Sequence, residues 1–145
     1  MATPGTPGAS GMEPPGEAEY QAPFAELLGI RSGQSSGGVG SVSMTIQEKH
    51  RQDHGVVQGG LIVTLADHAL YRAVQSVLEP HEHNVTVELK VNFIAPAREG
   101  ELTATARVVS RGGRIIVGEM EVTDQQGRSI ARGLGTCLVV RQSAG

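Results

Sequence analysis

Apolar and polar positions follow several different rhythms along the chain, and each rhythm predicts an element. "PFAELLGI", residues 23–30, is long enough for two helical turns and reads as a lid or packing element. "RSGQSSGG" after it carries the residues that end a helix and form a loop. "GVGSVSMTIQE", residues 38–48, alternates with period two: Val42, Met44 and Ile46 fall nearer one side, and Val39, Ser41, Ser43 and Thr45 nearer the other. This predicts a first strand. "GGLIVTLADHALYRAVQSVL", residues 59–78, has no proline, and its apolar residues cover nearly the whole circumference of a helix, so a buried helix is expected.

Beyond Pro80 four segments rich in β-branched residues follow, at 84–97, 101–110, 114–124 and 129–141. Gly100, the pair Gly112 and Gly113, and "DQQG" punctuate them at hairpin spacing. Pro96 cannot donate to a ladder and marks a bulge or a strand end. The expected fold class is α+β: an antiparallel sheet of about five strands around one long helix.

A chain of 145 residues is the size of one domain. Residues 1–19, rich in Pro, Gly, Ala and Thr, read as a disordered N-terminal tail without the basic start or apolar run of a signal peptide, leaving residues 20–145 as the domain. Twelve Lys and Arg stand against fifteen Asp and Glu, a formal charge of −3 with no basic block, which argues against nucleic acid as a partner. Asp67, His68 and Arg72 interrupt the longest apolar stretch well before the roughly 20 residues a membrane span needs, so no membrane partner is expected. The single cysteine, Cys137, cannot form an intrachain disulfide; a buried thiol in a reducing cytoplasm is the expectation.

The chemistry gathers in "RQDHGVVQGGLIVTLADHAL", residues 51–70. Gly59 and Gly60 open the long helix, where the first backbone N–H groups have no intrahelical acceptor and can hold an anion or a developing oxyanion. A tight turn into the helix is the plainer reading of such a pair. Asp67 lies among apolar residues, where an unpaired carboxylate is costly, although a partly exposed helix carboxylate is the plainer alternative. Eight residues separate Gly59 from Asp67, about 12 Å along a helix axis, too far for one ester group to touch both. Two helices packed antiparallel about a twofold axis would bring the start of one to the Asp67 of the other, so the spacing makes sense as a site shared by two copies.

"VVQGGLIVTLADHA", "VTVELKVNFIAPAREGELTATARVV" and "VTDQQGRSIARGLGTCLV" together resemble the hotdog-fold acyl-CoA thioesterases of the phenylacetate-degradation, PaaI-like, type over about residues 22–141. The resemblance implies the hotdog fold, an acyl-CoA substrate, hydrolysis to free acid and CoA, and self-association as a dimer or tetramer. It implies no cofactor, coenzyme A being part of the substrate. It also implies that Asp67 works with the Gly59 N–H of a partner subunit and that Thr86 helps place the attacking water; a plain strand threonine is the alternative for Thr86. Two positions depart from the commoner pattern: Gln58 stands where relatives often carry histidine, and Gln52 where they carry asparagine. The Gln58 amide is expected to support the loop that presents Gly59 rather than to polarise the carbonyl itself.

Around this nucleus Gly60, His54, Leu70 and Tyr71 are candidates for contact with substrate, with Val74 beside them, and the acyl group is open between aryl and medium aliphatic. Arg111 and Arg114 flank the glycine pair of "SRGGRII" and could meet coenzyme A phosphates, solvated turn arginines being the alternative. His54, His68, His81 and His83 match no zinc spacing, so no metal is expected. His68, next to Asp67, should point about 100° away around the helix. Whether Asp67 is general base or nucleophile is open at this level. A non-catalytic acyl-CoA-binding module on the same fold is the competing function. A hydratase would want an Asp and His pairing that is not found.

Overall fold

A computed structural model describes residues 22–142; the tail expected at 1–19 lies outside them. The elements in chain order are α1 (Pro23–Leu28), β1 (Arg31–Ser36), β2 (Val39–Thr45), a single 3-10 turn (Glu48–His50), α2 (Gly59–Gln75), β3 (Glu82–Phe93), β4 (Glu101–Arg111), β5 (Ile115–Thr123) and β6 (Ser129–Arg141). The six strands form one antiparallel sheet in the order β1-β2-β4-β5-β6-β3, with α2 against its inner face. This is the hotdog arrangement that the resemblance implied.

Three expectations are corrected. The stretch "RSGQSSGG" is not a loop: residues 31–36 form β1, antiparallel to β2. All six β1 residues are exposed, so it is held by backbone hydrogen bonds at a sheet edge and carries no apolar alternation to announce it. The sheet therefore has six strands, not about five. The segment around Gly100 is not a hairpin, because β3 lies at the far edge beside β6 while β4 pairs with β2 and β5. Residues 94–100 instead cross the end of the sheet, where Ile94 and Ala95 N–H groups both reach the Ile130 carbonyl.

The helix is not buried all round. Leu61, Ile62, Leu65, Ala66, Ala69, Leu70, Ala73 and Val74 face the core, whereas Gly60, Thr64, Asp67, His68, Tyr71 and Gln75 form an exposed or half-buried stripe. The apolar side is wide because the curved sheet wraps it from β2 to β3. Small residues let the layers meet: a Cβ on Gly40 would strike the Ala69 and Ala73 backbone, and one on Gly118 would lie 2.5 Å from Leu70 Cδ1. No helix among the described residues is long and apolar enough to cross a membrane.

Candidate active site

The helix α2 runs antiparallel to the edge strand β3 and touches it at three levels. A Cβ on Gly59 would come within 3.2 Å of the Phe93 ring, Asp67 meets Thr86, and Gln75 Nε2 donates to the Glu82 carbonyl at 2.9 Å. Thr86 Oγ1 donates to Asp67 Oδ1 at 2.7 Å. With its one hydroxyl proton given to Asp67, Thr86 Oγ1 is left as the acceptor in its 3.9 Å contact with Cys137 Sγ. Burial raises the Cys137 pKa above its ordinary value, which keeps that thiol protonated. The result is a short relay, Cys137 to Thr86 to Asp67, that leaves Asp67 Oδ2 without a partner among the described residues.

Local backbone geometry aims Thr86. The β3–β6 register shifts between Thr86 and Glu88, so Thr86 faces Cys137 and Glu88 faces Thr136 with Val87 as the extra residue. Such a bulge redirects a side chain beside a site.

Asp67 opens on a cavity of about 320 Å³ whose walls are Ala22, Phe24, Ala25 and Ile30 on one side and Thr64, His68, Tyr71 and Thr86 on the other. The size and largely apolar lining fit a small organic group. Of the residues expected here from sequence, Asp67, Thr86 and Tyr71 line it. Leu70 does not: it is fully buried against the sheet at Gly118 and Gly135, with Val74 equally buried. His68 does line it, contrary to the expectation that it points elsewhere, because the cavity spans more than one helix residue in width. The contribution of α1 and Ile30 was not anticipated; Phe24, one of only two phenylalanines in the chain, is the residue that could have signalled it. Asp67 is half-buried rather than sealed among apolar side chains, so its burial alone does not argue for function.

Gly59, Gly60, Gln58, Gln52 and His54 form a second group, apart from this cavity. Gln58 precedes the helix, and its carbonyl accepts from Leu61 and Ile62 at 3.0 and 3.3 Å, leaving the Gly59 and Gly60 N–H groups ahead of that ladder. The Gln58 backbone N–H is fixed by the His50 carbonyl at 2.9 Å, whereas its exposed side chain makes no hydrogen bond among the described residues. Support for the glycine loop therefore comes from the Gln58 backbone and not from its amide, which corrects the expected role. Around Gly60 a Cβ would meet nothing within 4 Å. Gln52 shapes the preceding turn: its Oε1 accepts from the His54 N–H and its carbonyl from Gly55. His54 is exposed, and its carbonyl accepts from Arg98.

Arg111 and Arg114 are both exposed at the β4–β5 turn. Arg111 donates to the neighbouring Gly112 carbonyl, while Arg114, with Gly113 and Arg141, borders a separate cavity of about 580 Å³. No cluster of three or more His, Cys, Asp or Glu among the described residues could hold a metal ion.

The sequence model of the thioesterase superfamily matches residues 54–131. The 1,4-dihydroxy-2-naphthoyl-CoA hydrolase of Listeria monocytogenes is 32% identical over 100 residues, 69% of this chain and 81% of that protein. Among solved structures, a conserved protein of Pseudomonas aeruginosa superposes with a TM-score of 0.81 at 29% identity, covering 87% of this chain and 100% of that one. The PaaI protein of the E. coli phenylacetic acid degradation operon superposes with a TM-score of 0.77 at 28% identity, covering 83% and 86%.

Proposed function

Because the chain belongs to the thioesterase superfamily, we propose that it hydrolyses an acyl-CoA thioester to the free acid and coenzyme A, at a site shared by two copies of the chain. The observation that carries this reading is the division of the machinery along β3: the carboxylate is tied to Thr86 near its start, and the open helix N-terminus sits by Phe93 at its end. Over the eight-residue step from Gly59 to Asp67 α2 is continuous, so they stand about 12 Å apart along its axis within one chain.

The edge of β3 offers the remedy. Among the described residues this strand pairs only with β6, so its other edge leaves backbone N–H and C=O groups open to a partner strand, and Val87 and Phe93 are 56% and 57% exposed on it. With Val87 as the extra residue, antiparallel pairing of two β3 strands about a twofold axis at Lys90 would set Thr86 of one opposite Phe93 of the other. Asp67 would then face the Gly59 N–H of the second copy.

In such a site Asp67 Oδ2 takes a proton from a water whose oxygen attacks the thioester carbonyl, and the tetrahedral oxyanion is received by the Gly59 N–H. Collapse expels the coenzyme A sulfur, which recovers the proton from Asp67. The alternative is direct attack by Asp67 to give an anhydride that water opens. Water is the only co-reactant either way. The acyl group occupies the cavity between Phe24 and Tyr71. Of the two turn arginines, Arg114 is the better placed for the coenzyme A phosphates: its carbonyl accepts from Val139, and Val139 pairs with Asn84, two residues from Thr86.

The test is thiol release from a panel of aryl- and alkyl-CoA thioesters. Turnover that saturates with substrate supports the reading; no turnover with any member of the panel sinks it.

A further inference from the structure

Helix α1 walls the acyl cavity and is held to the body of the protein at its C-terminal end, where Ala25 and Ile30 enter the core and Leu28 packs against it. Its six residues bury only Ala25, while Phe24 and Leu27 stay 60% and 66% exposed, and a single isolated turn and a half of helix has no stability of its own. Beside that apolar packing, two hydrogen bonds reach its last carbonyls. His50 Nε2 meets the Leu28 carbonyl at 2.9 Å, and Lys49 Nζ donates to the Leu27 carbonyl at 2.9 Å.

His50 is 2% exposed, and every polar atom of it is engaged. Its Nδ1 accepts from the Gln47 N–H at 2.9 Å, which requires the proton on Nε2 and makes Nε2 the donor to Leu28. Its own N–H donates to the Gln47 carbonyl at 3.0 Å, and its carbonyl accepts the Gln58 N–H at 2.9 Å, one residue before the glycine pair. One buried residue thus grips the acyl wall with its ring and the oxyanion loop with its backbone.

We propose that His50 is a positioning residue: its ring sets α1, and with it Phe24, against the acyl cavity, so that it governs which acyl groups are held. The proposal rests on the hydrolysis reading for its consequences in catalysis, and on geometry alone for the latch. An asparagine at this position can offer Oδ1 where Nδ1 lies but is too short to reach Leu28. A glutamine can offer an amide N–H near the Nε2 position and keep the Leu28 bond.

The experiment compares the full-length wild-type chain with His50→Asn and His50→Gln by native-state amide hydrogen exchange and by kinetics over a CoA-ester series from acetyl upward. In His50→Asn the amides of Gly29 and Ile30 should exchange at least about tenfold faster, with the β4–β5–β6 amides unchanged. KM for the larger esters should rise at least about fivefold, KM for acetyl-CoA less than about twofold, and kcat should change little. His50→Gln should return both measurements most of the way to wild type. Lys49→Met, at an exposed position that leaves the core intact, should show the same pattern in weaker form.

Unchanged exchange at Gly29 and Ile30 overturns the latch. A KM rise equal for every ester, or a loss confined to kcat, overturns the selective role. Should the wild-type chain hydrolyse no ester, the hydrolysis reading has failed on its own account; the exchange comparison, which needs no substrate, then decides the latch.

Discussion

Thr86 gives its hydroxyl proton to Asp67 at 2.7 Å, and the bulge at Val87 is what turns the threonine toward it. The bond fixes one carboxylate oxygen and leaves the other for a water or the substrate. Replacing Asp67 with Asn keeps the shape and removes the basic, nucleophilic oxygen, so kcat is expected to fall on the order of a hundredfold or more while acyl-CoA binding persists. Steady-state kinetics with calorimetric titration separates the two. Thr86→Val should cost less, several-fold in kcat, and Thr86→Ser should recover most of it, since a hydroxyl suffices to orient the carboxylate.

Gln58 now carries a sharper prediction than its sequence allowed. Its backbone holds the loop and its side chain makes no bond within the described chain, so Gln58→Ala should leave the denaturation midpoint unchanged. If the amide is there for the substrate, kcat should nonetheless fall by roughly tenfold to a hundredfold, as when an oxyanion donor is lost. An active, fully stable Gln58→Ala enzyme would leave the carbonyl to the Gly59 N–H alone.

The helix and the four later strands were legible because their inward positions are apolar with a clean period, as in Leu102, Ala104 and Ala106 or Ile116, Gly118, Met120 and Val122. The strand β1 was not, since a strand exposed on every residue is encoded in backbone pairing rather than in side chains. Strand order was also hidden: nothing local in "NFIAPAREG" distinguishes a crossing from a hairpin. That Asp67 and Thr86, 19 residues apart, belong together was legible from the resemblance, and their hydrogen bond joins them. The reach of α1 into the cavity and the His50 latch depend on contacts 22 residues apart, which no local pattern encodes.

Close approach of helix and sheet gives a stability prediction. A Cβ on Gly40 would run into the backbone of Ala69 and Ala73, which cannot yield as a flexible side chain can. Gly40→Ala should therefore destabilise the fold by about 1–3 kcal/mol or more, read from urea denaturation, whereas Gly60→Ala, facing open space, should change stability far less.

His50 predicts an acid-sensitive fold. Burial is the main cause holding its pKa below the ordinary 6.5, opposed by the bond to the Leu28 carbonyl and aided by Lys49. The unfolded chain therefore takes up a proton that the folded chain refuses. Stability from this residue is complete above about pH 6.5 and is lost as pH falls from there through the folded pKa, with a slope of at most about 1.4 kcal/mol per pH unit. Glu82 and Asp124 are both held low chiefly by backbone N–H groups, of Glu79 and Arg128, so their losses come in a separate window below their ordinary 4.5 and 3.8. Denaturation midpoints between pH 7 and 5 should fall for the wild type and stay flatter for His50→Gln.

The proposed shared site makes a prediction that no single-chain site can imitate. Let one variant lack the carboxylate, Asp67→Asn, and let another lack the helix-terminal donor, Gly59→Pro, whose missing N–H removes the oxyanion partner at a position where the helix start tolerates proline. Each alone should be inactive. In a mixed dimer one site combines both lesions, but the other joins an intact Asp67 to an intact Gly59. Random exchange makes half the dimers mixed, each with one good site of two, so about a quarter of wild-type activity should return when the two are unfolded and refolded together. Both groups acting within one chain would give no recovery at any mixing ratio. Because the proline ring also meets Phe93, Gly59→Pro must first be shown to dimerise by sedimentation. With that established, mixtures that stay inactive while mixed dimers are seen by native mass spectrometry would return the catalytic groups to a single chain.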